Sequence, residues 1–146
     1  GLRNSLVENK IKAYAINSIE NITFRNREEL SYIKEELVHL CEIAEKIRCG
    51  YIVVVPSQKP LGVPKKEIKQ ESVVTLKELS KITQTYEVGL TFEFIGPGNS
   101  SVKTLNDAWQ IVKAIKTNNV GLVIGSFHFY SGGTIAQFLL GFMLEY

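Results

Sequence analysis

Glu93 stands between Phe92 and Phe94 inside the apolar run Gly89–Ile95. A carboxylate in such a run needs a cation, a metal or a proton to offset its desolvation, and that requirement makes it a candidate for proton transfer or metal ligation. His128 follows a second apolar run, Leu122-Val123-Ile124, which stops at Gly125. Phe127 and Phe129 flank it and would stack around a sugar or a base ring, so His128 is a candidate ligand contact. Asn17 and Ser18 close a weaker run, Tyr14-Ala15-Ile16. Further on, Ser131-Gly132-Gly133 before Thr134 resembles a phosphate-cradling turn at a helix amino end, but it lacks the spacing of a dinucleotide fingerprint or a P-loop and reads as a plain loop. His39, between Val38 and Leu40, reads as a partly exposed helix residue. No Ser-His-Asp or Cys-His arrangement stands out.

Positioning these groups takes a folded chain, and the composition supplies one. The 146 residues suit a single domain, with 45% hydrophobic and 22% charged residues. A net charge of +2 arises from interspersed acids and bases. There is no basic stripe of the kind that binds nucleic acid, and Lys65, Lys66 and Lys69, like Lys113 and Lys116, read as solvated helix faces. Cys41 and Cys49 lack metal or redox spacing and suggest a reducing compartment, with Cys41 as a core thiol. No signal pattern opens the sequence and no apolar stretch reaches the length of a membrane span. A cytoplasmic protein without membrane contact is the expectation.

The elements alternate strand and helix four times. Ile11–Ile19 gives a first strand, preceded by the tail of a helix. Asn26 and Glu29 form a capping box for a helix over Arg27–Ile47, whose Ile33, Leu37, Leu40, Cys41, Ala44 and Ile47 make one apolar face. Tyr51–Val55 is an unalternating β-branched run of the sort buried on both faces in parallel sheets, and Pro56 ends it. The loop Gln58–Val63 is a candidate lid. A helix over Lys65–Thr85 follows, then the strand with Glu93, a glycine-rich loop, and a helix opened by Thr104 and Asp107 whose Ala108, Trp109, Ile111, Val112 and Ile115 face the sheet. Val120 begins the fourth strand. Such a βα repeat means a parallel α/β fold, either a barrel or an open doubly wound sheet, and in both the ligand site lies at the carboxyl ends of the strands. Asn17, Ser57, Glu93 and His128 all map to that side.

Four stretches carry a resemblance: Ile16-Asn17-Ser18-Ile19, Gly50–Pro56, Gly89–Phe94 and Val120–Tyr130. Over about residues 11 to 133 the chain resembles the sugar phosphate isomerase/epimerase superfamily of xylose isomerase-like (β/α)8 TIM barrels. The resemblance implies a partial barrel, with residues 1–146 as a single domain of four βα units corresponding to about strands three to six. It implies a divalent metal (Mn, Zn, Co or Mg) that assists proton transfer on a keto sugar, sugar phosphate or polyol. Glu93 matches a metal-ligand glutamate and a catalytic carboxylate, His128 matches a substrate-contacting histidine, and Asn17 falls in the first matching stretch as a second substrate contact. The family's aspartate three residues before His128 is Gly125 here. One metal ligand of four is matched, so impaired activity is the expectation. Thr134–Tyr146 reads apolar nearly all round and must be covered, either by another copy, which would make a homo-oligomer, or by an altered packing across the open edge of the half-barrel.

Overall fold

The computed structural model describes residues 1–132. The apolar Thr134–Tyr146 tail and Gly133 lie outside the described residues. The elements run α1 (Leu2–Glu8), β1 (Ala15–Ile19), α2 (Arg27–Ile47), β2 (Tyr51–Val54), α3 (Lys65–Thr85), β3 (Gly89–Glu93), α4 (Leu105–Ile115), β4 (Val120–Val123) and α5 (Ser126–Ser131).

The capping box forms as the sequence implies. The Asn26 side chain accepts from the Glu29 amide while the Glu29 carboxylate accepts from the Asn26 amide, both at 2.9 Å. Together they satisfy two donors that a helix start leaves open, a cap of about 1 kcal/mol. Thr104 caps α4 by accepting from the Asp107 amide. The first strand is shorter than expected and begins at Ala15, because Ala15 opposite Tyr51 is the first pair that β2 can offer. The third ends at Glu93, beyond which Ile95 turns to donate to the Val102 carbonyl.

The four strands pair in parallel in the order β1-β2-β3-β4. A doubly wound sheet reverses its strand order part-way; this one does not, and right-handed crossovers then place successive helices on one face. The arrangement is therefore the barrel type, in a four-strand arc. Ile52, Val54, Leu90 and Phe92 point outward and join Leu37, Cys41, Leu76, Leu79, Leu105 and Ile111 in one core beneath the helices. Each such buried side chain contributes about 1.5–3 kcal/mol. Burial pushes the Cys41 thiol up to about 11, so it stays protonated as a core group. Trp109 departs from expectation: it is only half-buried, with the Lys113 ammonium 5.8 Å from its ring centre. α4 already fills its sheet-facing stripe with Leu105, Ala108, Ile111, Val112 and Ile115.

The alternate residues of the same strands, Tyr51, Val53, Thr91 and Glu93, occupy the inner face of the arc. Period-two alternation is what puts Phe92 and Phe94 in the core, fully buried, and turns Glu93 away from both.

Candidate functional site

The carboxyl ends of the strands surround a cavity of about 550 Å³, lined among others by Asn17, Glu20, Gln58, Glu93, Asn99 and His128. All three residues singled out from the sequence meet there. Asn17 comes from β1 where its pairing with β2 slips between Ile16 and Ile19, an irregularity of the kind that re-aims side chains at sites. Glu93 is the last residue of β3 and its side chain is 18% exposed.

His128 reaches the cavity by a different route from the one its sequence suggests. It sits on α5, a short helix that starts straight after β4 with Gly125 as its cap residue. At about 100° per residue a helix sends neighbours to different faces. Phe129 accordingly enters the core and Phe127 points outward at 67% exposure, so the two rings do not cradle a ligand. His128 Nε2 lies 3.9 Å from Glu93 Oε1, close enough for ion pairing when the imidazole is protonated and too far for a hydrogen bond. Its Nδ1 is buried and has no partner among the described residues.

Glycines hold α5 close. A side chain at Gly96 would collide with the His128 carbonyl and Ser131, and one at Gly132 with the Lys103 carbonyl. These two positions let the loop after β3 pack on the helix that carries the imidazole. The sequence reads Ser131-Gly132-Gly133 as a plain loop rather than a phosphate-cradling turn, and Gly133 and Thr134 lie outside the described residues. Ser131 ends α5, where its hydroxyl donates to the Phe127 carbonyl and the Gly132 amide donates to the His128 carbonyl. A helix carboxyl end presents carbonyls and repels anions.

Ser57 lies just past the carboxyl end of β2, the side to which the sequence assigns it. It is buried and bonded to Thr23, with no share in the cavity lining. Of the candidate lid Gln58–Val63, Gln58 lines the cavity while Leu61 is fully exposed. Glu20, Gln58 and Asn99 were not read as site residues from the sequence. The signal that could have found them is their place in the loops directly after β1, β2 and β3. His39 is a solvated helix residue beside Glu42, as read.

The family model described as xylose isomerase-like TIM barrel matches residues 1–144. The chain belongs to that family. It is 36% identical over 135 residues to an inosose isomerase of Halalkalibacterium halodurans, covering 91% of this chain and 47% of that protein. It is 36% identical over 126 residues to an inosose isomerase of Bacillus subtilis, covering 85% and 45% respectively. The chain thus spans about half the length of these curated relatives. Among solved structures it superimposes on an IolI protein with a bound zinc atom at a TM-score of 0.85 and 32% identity, over 94% of this chain and 51% of that one. It shares the fold of a D-psicose 3-epimerase at a TM-score of 0.70 and 17% identity, over 87% of this chain and 47% of that one.

A family metal would need more donors than this wall supplies. Among the described residues no group of three or more His, Cys, Asp or Glu side chains comes together to hold an ion. Glu93 and His128 are two donors on either side of Gly125, which has none. The described residues alone do not fit a metal.

Proposed function

We propose that this chain carries the ligand-binding wall of a sugar or polyol isomerase/epimerase barrel. The observation that supports this most is the convergence of Glu93, His128 and Asn17 on one cavity at the strand ends, where barrel enzymes of this architecture bind substrates. Glu93 is the proton-transfer residue: its carboxylate takes a proton from the carbon beside a keto group and returns it on the same face to the former carbonyl carbon, while the hydroxyl proton passes to the former carbonyl oxygen. It is also the carboxylate on this wall that would ligate a divalent metal. His128 and Asn17 hold hydroxyl or carbonyl oxygens of the ligand.

Amides, hydroxyls and two carboxylates line the cavity, and no lysine or arginine does so among the described residues. That chemistry favours polyhydroxylated ligands over phosphorylated ones, since a phosphate calls for cations or helix amino ends. Nor does any described helix have the length and apolarity to cross a membrane. Calorimetric titration with a keto-inositol tests the reading. Saturable binding at one site per cavity is expected, and an absence of heat and of competition by other polyols would end it.

A second reading concerns assembly. β1 and β4 each have one unpaired edge among the described residues. Large exposed apolar side chains precede β1 in the chain (Val7, Ile11 and Tyr14) and follow β4 (Ile124, Phe127 and Tyr130). Pairing β4 of one copy with β1 of another, twice, would make the eight parallel strands of a closed barrel. Light scattering should then return twice the mass of the 146-residue chain. A monomer that melts cooperatively rules this out.

A further inference from the structure

The loops after β1, β2 and β3 are tied together by hydrogen bonds that the acid–base chemistry of Glu93 does not require. Thr23 and Ser57, 0% and 1% exposed, exchange three of them. The Thr23 amide donates to Ser57 Oγ at 3.1 Å, Ser57 Oγ donates to the Thr23 carbonyl at 2.5 Å, and the Ser57 amide donates to Thr23 Oγ1 at 3.1 Å. From Ser57 the ties continue to the third loop. The Ser101 amide donates to the Ser57 carbonyl at 3.0 Å, and the Lys59 amide donates to the Asn99 carbonyl at 2.7 Å. Asn99 Nδ2 donates to the Lys59 carbonyl at 3.3 Å, and Gln58 bridges Ser100. Gln58 and Asn99 line the cavity with Glu93 and His128; Thr23 and Ser57 do not.

We infer that Thr23 and Ser57 are positioning residues for ligand recognition, holding Gln58 and Asn99 as an amide wall against the ligand hydroxyls that Glu93 and His128 do not take. This rests on the proposed function. An amide offers both donors and an acceptor, which suits a ring of hydroxyl groups. A wall set before the ligand arrives loses little further entropy when the ligand binds. Without the Thr23–Ser57 exchange the second loop would lose three of the bonds that fix it to the first, and more of its order would have to come from the ligand.

The test titrates a keto-inositol calorimetrically into the wild-type chain and three variants. Thr23→Val keeps the side-chain shape and removes the acceptor for the Ser57 amide. It is expected to weaken binding about tenfold, or about 1.4 kcal/mol. Thr23→Ser restores that acceptor and should bind within about twofold of wild type. Gln58→Ala removes an exposed wall residue and is expected to weaken binding without shifting the melting temperature, which covers the case in which Thr23→Val fails to fold. Unchanged affinity in Gln58→Ala, or in a folded Thr23→Val, overturns the inference while the function stands. Failure of the wild-type chain to bind overturns the function and this inference with it.

Discussion

Replacing Glu93 with glutamine is expected to slow proton exchange at the carbon beside the carbonyl of a keto-inositol by about 10²–10⁴-fold. Solvent deuterium incorporation followed by NMR measures it. Glutamine keeps the size and the acceptor oxygen of the side chain but has no basic site, so binding should weaken far less than exchange. The fold should survive, because the Glu93 side chain lies on the inner face of the arc rather than among the outward-facing core residues. A variant that exchanges at the wild-type rate would remove Glu93 from the chemistry. A variant that unfolds would show instead that the carboxylate is structural.

Gly125→Asp is expected to create the metal affinity that the described residues do not supply. Gly125 has a φ of −80°, so its backbone accepts any side chain. A Cβ there would lie 3.0 Å from Glu93 Oε1 and 3.3 Å from His128 Cδ2. The first contact is with the end of a flexible side chain that can give by a few tenths of an ångström. The substitution sets a second carboxylate beside the first, an arrangement that like-charge repulsion disfavours until a cation joins them. Zinc or manganese should therefore bind the variant about a hundredfold tighter than wild type, or about 2.7 kcal/mol, and raise its melting temperature. Equal metal affinity in both proteins would show that position 125 does not complete a site with Glu93 and His128.

How far the sequence foretold these features depends on the kind of signal each one leaves. The long helices were legible to the residue because α2 carries both halves of a capping box and both α2 and α3 repeat their apolar residues at helical spacing. The inward aim of Glu93 followed from strict alternation with Phe92 and Phe94. α5 was not legible: Ser126–Ser131 is six residues long, too short to show a period, and its aromatic residues read equally well as the end of a strand. That ambiguity misplaced the two phenylalanine rings. The choice between barrel and open sheet lay in the strand order, which depends on crossovers between distant segments and leaves no local mark. Gln58 and Asn99 were missed for a related reason, since what brings them to the cavity is a bridge between two loops about 40 residues apart.

The central claim is that a polyhydroxylated ligand binds at the strand ends against Asn17, Glu93 and His128. Backbone NMR of the chain during titration with a keto-inositol tests it directly. The amide signals of Asn17, Gln58, Glu93 and His128 should shift together and saturate at one concentration. Shifts confined to the outer cleft of about 310 Å³ between Lys65, Lys69 and Asp107, or no shifts at all, would contradict it.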